Sequence, residues 1–338
     1  MILESLDKKT LRSRIDKLKF RNAGNLEKLA ADFDAHAAIS EEIECHLRGG
    51  LCMPFHVAGE AHRISVDIDL YTPASREHVA KAVPAALAGR GFVSTDILKT
   101  RRTAPLSHLV RFTSRFQSHF GVRASIHIDI ACGIDTGMID TVTFPAGQHV
   151  LGFRTERAVS ALSRGSLIAD KIPSLGIGTV GYGKLKSTPK QIYDVGTLIQ
   201  HSGAGDLESA LSTYERLSDF KLAHDSRGHG REEVTRSIVG YLEGIGRQGS
   251  SPDSAQHWKD FAEFSQGMLS ARMSGQRDHT ERILLCLLLA KSLASRPASG
   301  APHAAEADGL YATLCKARGK GELGARIEFL LGELGLAS

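Results

Sequence analysis

The segment Arg63-Ile64-Ser65-Val66-Asp67-Ile68-Asp69-Leu70 alternates without a fault between polar and apolar residues, and it constrains the fold more than any other stretch of the chain. Successive side chains of a β-strand point to opposite faces, so Ile64, Val66, Ile68 and Leu70 belong to a core while Arg63, Ser65, Asp67 and Asp69 share the other face. A rise of about 3.3 Å per residue sets the two carboxylates about 6 to 7 Å apart. Like charges so placed repel unless a cation lies between them. Magnesium suits that place, because it takes hard oxygen ligands, commonly one or two carboxylates, and leaves the rest of its shell to water and phosphate. The strand therefore predicts a divalent-ion site for phosphate chemistry with Asp67 and Asp69 as ligands. Arg63, on the same face, is placed to neutralise a phosphate or to hold Asp67.

A second segment, Ser125-Ile126-His127-Ile128-Asp129-Ile130, repeats the pattern. Two strands with matching faces can lie side by side, and Asp129 then supplies a third carboxylate, as a ligand for a second ion or as the base for an attacking hydroxyl. His127 reads either as a sheet histidine or as an outer partner of the metal.

With 338 residues, two domains are expected. A composition of 42% hydrophobic and 24% charged residues argues against disordered and fibrous states. The formal charge of +4 is too small to identify a nucleic-acid binder. Basic residues nevertheless gather at Lys8, Lys9, Arg12, Arg14, Lys17, Lys19 and Arg21, and again at Arg101, Arg102, Arg111, Arg115 and Arg123. Such clusters read as surfaces for a polyanion or as solvated faces. The five cysteines form no C-x-x-C pair and predict free, reduced thiols. The longest apolar stretch, Ile283 to Ala290, falls far short of the roughly 20 residues that span a bilayer, and no signal-peptide core opens the chain. The expectation is a cytoplasmic protein with no membrane contact.

Apolar residues at helical spacing predict two or three helices between Lys8 and Leu47, with Asn25 and Ser40 as caps, and a further helix from Ser75 to Gly89. Strands are predicted at Arg63 to Leu70, Phe92 to Leu98, Ser107 to Phe112 and Arg123 to Ala131. From Glu156 onward strand signals nearly vanish and amphipathic runs take over. Gly244 to Gln256 and Ser295 to Gly309 read as linkers. The expected fold class is α+β: a mixed sheet flanked by helices over residues 1–155, then an all-helical domain over 156–338.

These motifs, in this order, resemble a known family. Gly49-Gly50 followed by Arg63-x-Ser65-x-Asp67-x-Asp69-Leu70 is similar to the signature of the nucleotidyltransferase AbiEii/AbiGii toxin family, which has the polymerase-beta-like nucleotidyltransferase fold. Ser125 to Ile130 resembles its third-carboxylate strand, Leu167-Ile168-Ala169-Asp170-Lys171 its L-x-A-x-K helix, and Pro189-Lys190-Gln191-Ile192-Tyr193-Asp194 its R-D-x-Y-D segment. The resemblance implies an enzyme that uses a nucleoside triphosphate and two Mg2+ ions, with Mn2+ as a substitute. It implies that Asp67, Asp69 and Asp129 hold metal, and that Gly49, Gly50, Arg63, Ser65, Lys171 and Lys190 bind the nucleotide. Asp67, Asp69, Asp129, Lys171 and Asp194 are the implied catalytic set. The implied partners are an acceptor, either RNA such as tRNA or a protein, and a cognate antitoxin protein. Leu51, Lys190 and Gln191 depart from the family pattern; Lys190 keeps the charge of the usual Arg but loses its planar fork.

Two other readings compete. A D-x-D phosphatase would use Asp67 as nucleophile, but it calls for Thr or Val where Tyr71 stands and for an apolar strand where Arg63 and Ser65 intrude. A non-catalytic module would keep the fold and bind only nucleotide or RNA, and the departures at Leu51 and Gln191 favour it. The glycine-rich stretch Gly176 to Gly183, with Lys184 and Lys186, is a further candidate anion loop, although no G-K-[ST] closes it.

Overall fold

The computed structural model describes residues 2–57, 63–98, 108–176, 187–224, 228–246, 252–270, 275–295 and 304–336. The chain forms two compact units, residues 1–163 with 267–271, and residues 164–266 with 272–338.

The first unit opens with α1 (Lys8–Leu18), capped by the Asp7 carboxylate on the Thr10 N–H, and α2 (Ala23–Glu42), capped by the Asn22 side chain. The cap is thus Asn22 rather than Asn25. Ser40 caps nothing: its hydroxyl donates back to the Ala37 carbonyl at 3.0 Å, which lets it ride inside one continuous helix. Then follow β1 (His46–Arg48), α3 (Gly49–His56), β2 (Asp67–Thr72), α4 (Arg76–Leu87), β3 (Phe92–Ile97), β4 (Leu109–Gln117) and β5 (Arg123–Cys132). Four short strands complete the unit: β6 (Thr141–Phe144), β7 (His149–Val150), β8 (Phe153–Arg154) and β9 (Val159–Leu162).

Seven of these strands form one mixed sheet in the order β3-β4-β5-β2-β1-β9-β6, with β2–β5 and β1–β9 parallel and the other pairs antiparallel. The apolar halves of the two alternating segments form its core: Ile68, Leu70, Ile126, Ile128 and Ile130 are fully buried. The expected strand from Arg63 is displaced to Asp67–Thr72. Arg63 instead bridges Leu269, and the Ile64 N–H donates to the Met268 carbonyl at 3.0 Å, which draws these residues out of the ladder. Strand β9 pairs with β1 and β6, so the sheet unit runs through Ser163 rather than ending at residue 155.

The second unit is helical: α5 (Arg164–Lys171), α6 (Thr188–Gln200), α7 (Ala204–Ala223), α8 (Arg231–Gly246), α9 (Pro252–Met268), α10 (Gln276–Ala294), α11 (Ala304–Gly319) and α12 (Leu323–Glu333). Helix α10 is its axis, packing against α6, α8 and α12. Both expected linkers are partly helical. Pro252 starts α9 at a position where its missing N–H costs nothing, and the Ala- and Glu-rich run from Ala304 carries enough helix propensity to form α11. All five cysteines are free. Among the described residues no helix is long and apolar enough to cross a membrane.

Buried histidines make stability depend on pH. His257 Nε2 lies 3.0 Å from His279 Nε2, and the His279 ring stacks on Phe261. Burial pushes His257 and, in the first unit, His36 down from 6.5 to about 4, and holds His279 well below its ordinary value. The unfolded chain takes up these protons first, so stability is full above the unfolded pKa and drains as pH falls toward the folded values. The unfolding free energy from urea titration should drop by about 2 kcal/mol per histidine between about pH 7 and about pH 5. A flat profile would show that these rings are protonated in the folded protein.

Candidate active site

Strand β2 positions the acids. In the parallel pairing with β5, Asp67 lies opposite His127 and Asp69 opposite Asp129; on the other side Asp69 lies opposite Arg48 of β1. Asp67, Asp69 and Asp129 are half-buried, while the apolar residues between them are sealed. Two arginines attend the acids. Arg48 Nη2 lies 3.7 Å from Asp69 Oδ1, its guanidinium over the Tyr71 ring at 4.6 Å, and Arg111 Nη2 of β4 lies 3.2 Å from Asp129 Oδ2. Burial, with Asp69 beside it, pushes the Asp129 carboxyl up to about 6 against the pull of Arg111 and Arg48. The face is thus richer in acid than its two arginines neutralise.

The glycine pair sits directly against this face. Gly49 has φ +68°, and a Cβ there would come 2.0 Å from Asp69 Oδ2. A Cβ on Gly50 would come 2.1 Å from Arg63 Nη2 and 2.5 Å from Ser65 Oγ. The sharp left-handed turn at Gly49 starts α3, whose N-terminal amides have no intrahelical acceptors and so favour an anion. Arg63 and Ser65 are buried behind Gly50, with Arg63 donating to the Ile64 carbonyl at 3.2 Å. Gly49→Ala, strained at φ and driven into Asp69, should lower the thermal midpoint by a few degrees and cut any nucleotide transfer at least about tenfold. Wild-type values for both would show that the turn yields without moving Asp69.

The residues present suit a divalent ion: hard carboxylate oxygens on adjacent strands, in excess of their cations. Among the described residues no three acidic, imidazole or thiol side chains are gathered tightly enough to close around an ion as they stand. Asp69 is turned to Arg48 and Asp129 to Arg111, and sharing an ion requires a rotation of each. His127 is exposed and bonds Thr113 at 3.2 Å through Nδ1.

In the second unit Lys171 Nζ donates to Asp194 Oδ2 at 2.7 Å, and both side chains are buried. Lys190 is half-buried in the first turn of α6, and Gln191 beside it is buried. Residues 177–183, Lys184, Lys186, Arg101 and Arg102 lie outside the described residues.

The sequence profile of the AbiEii nucleotidyl transferase toxin family, assigned to type IV toxin–antitoxin systems, matches residues 34–283, most of the chain. The chain belongs to this family. It is therefore a nucleotidyltransferase of the AbiEii toxin type. Among solved structures the AbiEii-family chain is similar to MenT4, a nucleotidyltransferase toxin from Mycobacterium tuberculosis H37Rv, at 14% identity and a TM-score of 0.54, over 90% of this chain and 99% of that one. It is also similar to JHP933 from Helicobacter pylori, at 14% identity and a TM-score of 0.40, over 79% of this chain and 90% of that one. No curated protein matches the chain.

Sequence reasoning did not single out Arg48. Its signal was available: a cation immediately before Gly49-Gly50 and at the end of a strand. It also missed Asp32 of α2, an acid set between Leu29 and Phe33 in an apolar stripe.

Proposed function

We propose that the sheet face carrying Asp67, Asp69 and Asp129 binds two Mg2+ ions and transfers a nucleoside monophosphate from a nucleoside triphosphate to a hydroxyl of an acceptor, an RNA such as tRNA or a protein. The pairing that puts Asp129 next to Asp69, beside the Gly49-Gly50 turn, carries this reading. The triphosphate would lie at the N-terminus of α3, with Arg48 and Arg111 as its nearest cations and Arg63 and Ser65 bracing the turn. The acceptor oxygen attacks the α-phosphorus, the bond from that phosphorus to the bridging oxygen breaks, pyrophosphate leaves, and the hydroxyl proton passes to Asp129. When bound, the ions would offset the charge on the phosphates and on both reacting oxygens. The protein otherwise contributes position and fixed charge.

Lys171, Lys190 and Asp194 are offered as the second unit's contributors. A phosphate reaching Lys171 would replace Asp194 as its partner. The biological reading is a toxin that slows growth when expressed without its antitoxin, the protein partner we infer for it.

The test is incubation with each labelled nucleoside triphosphate, Mg2+ and either total tRNA or a cell extract. Label appearing on a macromolecule supports transfer and identifies the acceptor class. Tight nucleotide binding with no label transferred selects the non-catalytic module, and a phosphoenzyme at Asp67 selects the phosphatase.

A further inference from the structure

Helix α2 packs against β2 and β5 and carries three buried acids. Two of them are fully engaged. Glu27 accepts from the Ser118 hydroxyl at 2.6 Å and from the His119 backbone N–H at 2.6 Å, with His119 Nδ1 at 2.7 Å. Asp34 accepts the backbone N–H groups of Ile2 and Leu3, each at 2.8 Å. Asp32, between them, is wholly inaccessible to solvent, and neither of its oxygens has a hydrogen-bond partner among the described residues. Its charged neighbours are Asp67 and Asp69 of β2, both repelling it, and Lys28 one turn earlier on its own helix. A buried acid left in this state is costly, and the cost is explained only by something that arrives to offset it. The hydrogen-bond geometry of α2 shows that the helix satisfies its acids where only the fold needs them, and Asp32 is the exception beside the acids of β2.

We propose that Asp32 is a fourth acid of the ion site, a positioning residue whose missing counter-charge is the divalent ion held by Asp67 and Asp69. The inference rests on the reading of those two residues as ion ligands. Mg2+ and Mn2+ keep several waters when bound to protein, so Asp32 can act through the ion's field or its hydration shell without displacing a ligand. Glu27 and Asp34, already saturated by local donors, have no such role.

The test uses the full chain and Mn2+ alone, titrated without nucleotide and followed by the electron paramagnetic resonance signal of free Mn2+. Asp32→Asn, which keeps the shape and removes the charge, should raise the Mn2+ Kd about tenfold or more, the range expected for an outer partner of a metal site. Asp67→Asn, the reference, should lose more. The Mn2+-induced rise in thermal midpoint should shrink in parallel, and Asp32→Ser serves if the amide variant fails to fold. A Kd within twofold of wild type in Asp32→Asn, alongside lost binding in Asp67→Asn, overturns the role of Asp32 alone. Absence of saturable Mn2+ binding in the wild type overturns the ion reading of β2 and this inference with it.

Discussion

Replacing Asp69 by alanine should reduce nucleotide transfer by about three orders of magnitude or more, because an ion's stabilisation of transferring phosphoryl charge is worth several kcal/mol and about 4 kcal/mol corresponds to a factor of about a thousand. Asp69 is the acid with the most neighbours at the site: it faces Asp129 on one strand and Arg48 on the other, and it rests on Gly49. Truncation frees Arg48 without exposing core, since Ile68 and Leu70 on either side remain sealed on the opposite face. The variant should therefore fold like wild type, with the same circular dichroism and a thermal midpoint within a few degrees. The measurement is initial rate of label transfer at saturating Mg2+. Retention of half the wild-type rate would remove Asp69 from the ion site.

The second large effect concerns stability. Lys171 and Asp194 form an ion pair out of contact with water, and removing one partner from such a pair typically costs about 3 to 5 kcal/mol because the other charge stays buried. Asp194→Ala should lower the thermal midpoint of the second unit by about 10 °C. The double replacement Lys171→Met with Asp194→Leu should recover most of that loss, since an apolar pair of similar volume avoids the desolvation cost. A single variant within about 1 kcal/mol of wild type, by urea titration, would show that solvent reaches the pair. Recovered stability with lost transfer in the double variant would separate structural need from chemical need.

Much of the first unit was legible because strand alternation has a period of two and no tolerance for a slip. Ile68 with Leu70 and Ile126 to Ile130 could only face a core, which left Asp67, Asp69 and Asp129 to share the opposite face. The start of β2 was not legible, because Arg63 keeps the alternation while its backbone is claimed by Leu269, some two hundred residues away. Strands β6 to β9 are only two to four residues long, too short for any period to show. The helix α11 was hidden by the Pro- and Ser-rich residues before it. Asp32 was hidden for a different reason: helical spacing tells which side of α2 is covered, and says nothing of an acid covered along with it.

The parallel pairing of β2 with β5 has a consequence for synthesis. Asp69 and Asp129 are neighbours only after α4, β3 and β4 have been made and the chain has crossed back to lay β5 alongside β2. A ribosome-bound fragment that stops short of Cys132 carries the first two acids without the third. For a family whose finished members are poisons, this topology keeps the emerging polypeptide harmless to the machinery producing it until the sheet closes.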